Sequence, residues 1–179
     1  CPTKVSKYDC DIQDTDPLVL GFSPLDPINL NKKSLKTSIV VRKLLDKIRA
    51  VLNNEKNANF ALLRGFSSYP SIPTFDTLYK IRSASVTTYP MYKGIGKLVG
   101  MEPLSLKTNN LQGQIEAIKA NINNYDFFYL HLKKTDSFGE DGNFKEKVKE
   151  IEKFDKFLPQ LFELNFNVIA ITGDHSTPS

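Results

Sequence analysis

Apolar residues along this chain follow two patterns. At Ile39, Val40, Leu44, Leu45, Ile48, Val51 and Leu52 they return at helical spacing, which predicts a helix over 34–54. A second stripe, Phe144, Val148, Ile151, Phe154, Leu158 and Leu161, predicts a helix over 144–164, with Pro159 expected to kink or interrupt it. Shorter helices are expected at 74–81 with Thr74 as N-cap, at 90–99 with Pro90 in the first turn and Gly100 as the stop, and at 112–124. Between them, the segments 59–63, 83–88, 126–132 and 167–172 read as strands. Near-continuous apolar strands separated by helices imply an α/β fold, a mostly parallel sheet with helices on both faces. Residues 1–31 hold Pro2, Pro17, Pro24 and Pro27 and a polar cluster from Asp9 to Asp16, and only Pro17–Phe22 resembles a strand there. This stretch is expected to be a linker or the tail of a preceding unit, with 32–179 forming the main body.

Composition narrows the class. The 179 residues are 40% hydrophobic and 25% charged, which excludes collagen-like, low-complexity and disordered chains. The net charge of +4 comes from lysines interleaved with Glu and Asp, a solvated-helix pattern rather than a phosphate-backbone stripe. No nucleic-acid partner is expected. No run approaches the roughly 20 apolar residues of a membrane helix, and no signal-peptide pattern opens the chain, so no membrane partner is expected either. The two cysteines, Cys1 and Cys10, form no CxxC pair. A bridge between them stays open, but nothing else suggests a disulfide framework, and a reducing, cytoplasmic setting is expected. The first residue is Cys rather than Met, which points to a missing upstream segment.

In open α/β sheets, ligands bind beyond the carboxyl ends of the strands. Arg64-Gly65 follows the first expected strand, and Lys93 lies some residues past the second. The third leads into Lys133-Lys134-Thr135-Asp136-Ser137-Phe138-Gly139-Glu140-Asp141-Gly142, the fourth into Gly173-Asp174-His175-Ser176. Carboxylates and an imidazole thus gather at one edge beside cations. Oxygen and imidazole ligands suit a divalent ion such as Mn²⁺, Mg²⁺ or Zn²⁺, and the cations suit an anionic substrate such as a phosphate. Each residue also has a plainer reading. Asp174-His175-Ser176 can cap a following helix, Asp136 can be a turn residue or N-cap, and His131 reads as a satisfied core residue. The stretch from Asp136 to Gly142 lacks the alternating oxygens of a calcium loop. Gly94-Ile95-Gly96 has the wrong spacing and placement for a dinucleotide fingerprint.

The run Lys133 to Asn143 and the run Thr172 to Pro178 each resemble a signature of the archaeal-type cofactor-independent phosphoglycerate mutases. Leu63-Arg64-Gly65, Tyr89 to Ile95 followed by Leu98 to Met101, and Asp14-Thr15-Asp16-Pro17 resemble further blocks in the same order. The resemblance covers almost the whole chain. That family belongs to the alkaline phosphatase superfamily, so the resemblance implies an incomplete alkaline-phosphatase-like core. It also implies two divalent metal ions and a serine that carries the phosphoryl group between the 3- and 2-positions of glycerate. In those terms Asp174 and His175 match an Asp-His ligand pair, and Asp136 matches the Asp of an Asp-x-x-x-His motif. The fourth residue after it is Glu140, not His, which makes Glu140 a further candidate ligand. Arg64 and Lys93 are candidates for holding substrate phosphate or carboxylate. The nucleophilic serine, a further metal-binding Asp and a further metal-binding His have no match here. The resemblance therefore makes 1–31 the exit from an inserted cap domain and 32–179 the later part of the phosphatase-like domain. The expected parent function is interconversion of 3- and 2-phosphoglycerate in glycolysis, with the chain by itself inactive. A metal-dependent phosphohydrolase or phosphosugar mutase of the same superfamily, or a non-catalytic binding protein, are the alternatives.

Overall fold

A computed structural model describes residues 9–178. The chain divides into two compact units, residues 1–71 and 72–179.

The first unit is built on α1, Leu35–Leu52, entered through a 3-10 turn at Lys32–Ser34. Asn31 starts it, its Oδ1 accepting from the backbone N–H groups of Lys33 (2.8 Å) and Ser34 (3.0 Å). Val41 and Leu45 form a small core with Ile12, and Ile48, Phe60, Leu63 and Phe66 pack around it. The expected strand at 59–63 is not formed. Its backbone bonds go to Thr15 instead: Thr15 N–H donates to the Leu63 carbonyl (2.9 Å), and Leu63 N–H donates to Thr15 Oγ1 (2.7 Å). One residue, through its backbone N–H and its hydroxyl, takes the Leu63 bonds that a neighbouring strand would make. The strand-like stretch 17–22 is a turn. Leu18 N–H donates to Asp16 Oδ1 at 2.8 Å, and Leu18 (φ 56) and Gly21 (φ 84) sit in the left-handed region. Cys10 Sγ lies 3.8 Å from Ser68 Oγ, while Cys1 falls outside the described residues.

The second unit is α/β, as the apolar pattern predicts. Its order is α2 (Phe75–Tyr79), β1 (Ser83–Thr87), α3 (Pro90–Leu98), β2 (Glu102–Pro103), α4 (Leu111–Asn121), β3 (Phe127–His131), α5 (Lys134–Glu140) and α6 (Phe144–Phe162). The three strands are parallel in the order β2-β1-β3. The register pairs Ser83 with Phe127 and Thr87 with His131, so alternate residues share a face. Ala84 and Val86 enter a core with Leu111, Ile115 and Ile118 of α4 and Leu161 of α6. The opposite face carries Ser83, Ser85 and Thr87 and meets α3. There a Cβ on Gly96 would stand 2.9 Å from Ser85 Oγ, so glycine permits the close approach. Gln114 is buried and donates from Nε2 to the carbonyls of Val86 (2.7 Å) and His131 (3.0 Å), tying the carboxyl ends of β1 and β3 together.

The expected strand at 167–172 has no ladder in the described residues, and Val168 and Ile171 are exposed. Its composition signals a demand for burial, but a strand also needs a partner edge, and β3 pairs only with β1 among the described strands. Pro159 does not end its helix: α6 runs on to Phe162. A proline near the last turn removes one i to i−4 bond and leaves little helix beyond it to disrupt.

Arg82 and Asp126, the residues that precede β1 and β3, fix the amino ends of the pair. Asp126 accepts from Arg82 Nη2 (2.9 Å), Nε (3.1 Å) and the Arg82 backbone N–H (2.8 Å). These hydrogen bonds lower the Asp126 carboxyl from its ordinary 3.8 to about 2. A carboxylate with a depressed folded pKa stabilises the fold above its unfolded pKa and loses that contribution as pH falls through the folded value. The thermal midpoint of Asp126→Asn is therefore expected to lie below that of the unaltered chain at neutral pH. The gap should close between pH 3.8 and about 2, as followed by circular dichroism.

Candidate functional site

The carboxyl end of β3 leads through Leu132 and Lys133 into α5, which carries Asp136 in its first turn. The plainer reading of Asp136 as a turn residue or N-cap is corrected: it lies within the first turn of α5, whose N-cap is Lys133. The segment 174–178 lies against this helix. A Cβ on Gly139 would fall 2.5 Å from the Thr177 carbonyl oxygen, so the contact depends on glycine. Lys147 of α6 donates to the same carbonyl, and Thr177 Oγ1 donates to Asp136 Oδ1 at 2.7 Å. The 174–178 segment is thus fastened to α5 and α6 without a strand beneath it.

This fastening brings three of the predicted site residues together. His175 Nε2 lies 3.9 Å from Asp136 Oδ1 and 3.7 Å from Asp174 Oδ2. The Lys133 ammonium is bonded to Asp136 Oδ2. The imidazole's orientation follows from its other nitrogen. His175 Nδ1 faces the Ser176 carbonyl (3.2 Å) and Thr177 Oγ1 (3.2 Å), and the Thr177 hydrogen is already given to Asp136. Both neighbours are acceptors, so in the neutral ring Nδ1 carries the hydrogen. Nε2 is left with its lone pair beside the two carboxylates. Such an outer hydrogen bond is what fixes a histidine that serves as a metal ligand.

Both carboxylates are held in the ionised form. Hydrogen bonds from Lys133 and then Thr177 lower the Asp136 pKa. Asp174 is lowered first by its own backbone N–H and also by that of His175. Glu140 is exposed and approaches Lys133 at 4.0 Å, so it joins the cluster through that lysine rather than through His175. Arg64 lies in the first unit, where its Nε sits 3.4 Å from Asp16 Oδ2 and Gly65 N–H donates to Asp14 Oδ1 at 2.9 Å. Lys93 stands in α3 of the second unit.

The expectation of a satisfied core histidine at 131 is overturned. The Nδ1 of His131 is buried with no hydrogen-bond partner. Its ring stacks on Tyr92 at 3.6 Å between centroids. Burial lowers its pKa, against the opposing pull of Asp174. The signal in the sequence was its place near the carboxyl end of the expected strand, two positions before Lys133. Thr177 lies within the second motif, but nothing local in that motif marks it as the residue that bonds to Asp136.

Among the described residues, no group of three or more His, Cys, Asp and Glu side chains is arranged to hold a metal ion. The donor types nevertheless fit a divalent cation: two ionised carboxylates, an imidazole nitrogen with a free lone pair, and an ammonium standing as a cation on Asp136. No helix of the described residues is long and apolar enough to cross a membrane.

Comparison with known proteins shows the family of the chain. The probable 2,3-bisphosphoglycerate-independent phosphoglycerate mutase of Aquifex aeolicus is 47% identical over 178 residues, which is 99% of this chain and 44% of that protein. A protein of the same name from Thermosipho africanus is 50% identical over 167 residues, 93% of this chain and 41% of that one. The chain thus spans less than half the length of these relatives, which carry the family name that the sequence motifs resemble. Among solved structures, the PH0037 protein from Pyrococcus horikoshii superposes with a TM-score of 0.70 at 31% identity, over 82% of this chain and 44% of that one. A family model for the metalloenzyme superfamily, whose name implies divalent metal ions, matches residues 28–179. That match takes in the whole parallel sheet and the cluster at 136, 174 and 175, and the chain belongs to the metalloenzyme superfamily.

Proposed function

We propose that this chain supplies part of the metal site of a phosphoglycerate mutase that interconverts 3- and 2-phosphoglycerate through a phosphoserine, with no bisphosphate cofactor. The observation that carries this reading is the meeting of Asp136, Asp174 and His175 beyond the carboxyl end of a parallel sheet. The names of the relatives at 47% and 50% identity support it. Asp136, Asp174 and the Nε2 of His175 would hold a divalent ion (Mn²⁺, Mg²⁺ or Zn²⁺), with Glu140 as a further oxygen donor and a second ion in the complete site. A bound ion there supplies Lewis-acid polarisation of phosphoryl oxygens. Thr177 keeps His175 turned so that its lone pair faces the carboxylates. Lys133, bonded to Asp136 Oδ2, holds that carboxylate ionised. Arg64 and Lys93 hold the substrate's phosphate or carboxylate and orient it for transfer.

In this reading residues 1–31 are the exit from an inserted cap domain, 32–179 are the later part of the metal-binding domain, and the enzyme works in the cytoplasm. The family resemblance puts the nucleophilic serine outside the residues of this chain, so the chain alone is expected to be inactive. The test joins residues 1–179 to the remaining segments of a bacterial relative and follows 3-phosphoglycerate with Mn²⁺ by ³¹P NMR. The expected result is a growing 2-phosphoglycerate signal that outruns hydrolysis of p-nitrophenyl phosphate. Ester hydrolysis without isomerisation would instead assign the site to a phosphohydrolase.

A further inference from the structure

Two polar atoms stand side by side at the carboxyl edge of the sheet with nothing to bond. Thr87 and His131 are register partners on β1 and β3, so their side chains project from the same face. Thr87 Oγ1 and His131 Nδ1 are both buried, and neither has a hydrogen-bond partner. Leaving such a group unpaired costs stability. Ser83 Oγ and Ser85 Oγ, earlier on the same face of β1, are also unpaired, but only Thr87 and His131 stand at the carboxyl edge, where parallel sheets bind ligands. Aromatic rings and one ammonium surround them. Tyr92 stacks on the imidazole, Tyr129 lies 6.1 Å along it, and Lys133, which pairs with Asp136, sits 5.9 Å over the Tyr89 ring.

We propose that Thr87 and His131 together bind a hydroxyl group of the substrate, making them positioning residues for a phosphorylated hydroxy acid. A hydroxyl donates one hydrogen bond and accepts others, so it satisfies a threonine and a neutral imidazole whichever ring nitrogen carries the hydrogen. A carboxylate or phosphate oxygen only accepts, and it satisfies the pair only when both members donate. In either phosphoglycerate the free hydroxyl is the oxygen that receives the phosphoryl group, so its orientation matters for transfer. Seating it there requires the Tyr92 ring to turn off the imidazole. The inference rests on the phosphoglycerate reading and goes beyond it by naming which substrate group meets which side chains.

The test uses the unaltered 179-residue chain with Mn²⁺ and two probes: 3-phosphoglycerate, and 3-phosphooxypropionate, which lacks the hydroxyl. Calorimetry gives affinity, and ¹H–¹⁵N spectra resolve the two imidazoles, His131 and His175. The expected result is binding of 3-phosphoglycerate that shifts the His131 Nδ1 signal, and affinity about tenfold weaker for the analogue. Thr87→Val should weaken 3-phosphoglycerate by a similar factor while raising the thermal midpoint of the ligand-free chain. Removing an unpaired buried hydroxyl relieves its desolvation cost, and a merely structural threonine would not combine those two effects. Thr87→Ser should restore the affinity. Equal affinity for the two probes, with His131 unmoved while His175 responds, overturns this proposal and leaves the phosphoglycerate reading standing. Failure of both probes to bind overturns this proposal, while the phosphoglycerate reading is decided by the ³¹P experiment on the completed protein. The analogue comparison needs no variant, so it decides even if Thr87→Val does not fold.

Discussion

Asp174→Ala and Asp136→Ala are each expected to lower Mn²⁺ affinity by at least about a hundredfold, since replacing a group that merely orients a metal ligand already costs about 10–100-fold. The expectation follows from the cluster's economy. Its imidazole lies 3.9 Å from one carboxylate and 3.7 Å from the other, and no third acidic group makes an ion pair with His175 among the described residues. Removing Asp136 also frees Thr177, whose hydroxyl now holds both that carboxylate and the His175 ring. Glu140→Ala should have a much smaller effect, because Glu140 reaches the cluster only by its 4.0 Å approach to Lys133. Asp155→Ala, on α6, serves as the control and should leave affinity unchanged. Calorimetric titration of the four variants checks the set. Unchanged affinity in both Asp136→Ala and Asp174→Ala would remove the basis for a metal site here.

Ile115→Ala should lower the unfolding free energy by about 2–5 kcal/mol, the usual range for truncating a fully buried isoleucine to alanine. Ile115 is 0% exposed and sits in the cluster that joins Ala84 and Val86 of β1 to α4 and α6. The neighbouring Gln114 holds the ends of β1 and β3 through two carbonyls, so loosening α4 also loosens the strand end that leads to Lys133 and Asp136. Urea denaturation followed by circular dichroism reads the change. An unaltered midpoint would mean that the face of β1 formed by Ala84 and Val86 is not where stability is concentrated.

The period of the apolar residues was enough to place α1, α3, α4 and α6 and to find β1 and β3, because helical stripes and buried strand runs are local patterns that burial imposes on sequence. Local chemistry also marked the Thr74 cap, whose side chain accepts from Thr77 N–H at 3.2 Å. The same reasoning misplaced 59–63 and 167–172. A strand is defined by a partner's hydrogen bonds, and composition reports only the wish for burial. In the first case Thr15 took those bonds, and in the second no described strand offered them. The two residues of β2 and the seven of α5 are too short to leave a period of their own.

For the site, the sequence by itself determined the chemical inventory: acids at 136 and 174, an imidazole at 175, and lysines close by on the chain. Motif spacing alone carried that, since such groups come from short contiguous segments. Tertiary structure decided which of them meet. Asp136 and Thr177 are 41 positions apart, and their hydrogen bond exists because Gly139 lets the later segment lie on α5. The register of β1 with β3 likewise set Thr87 beside His131, two residues that nothing in the linear order connects. Side-chain type is written locally, whereas adjacency and the loss of hydrogen-bond partners on burial depend on how distant segments pack.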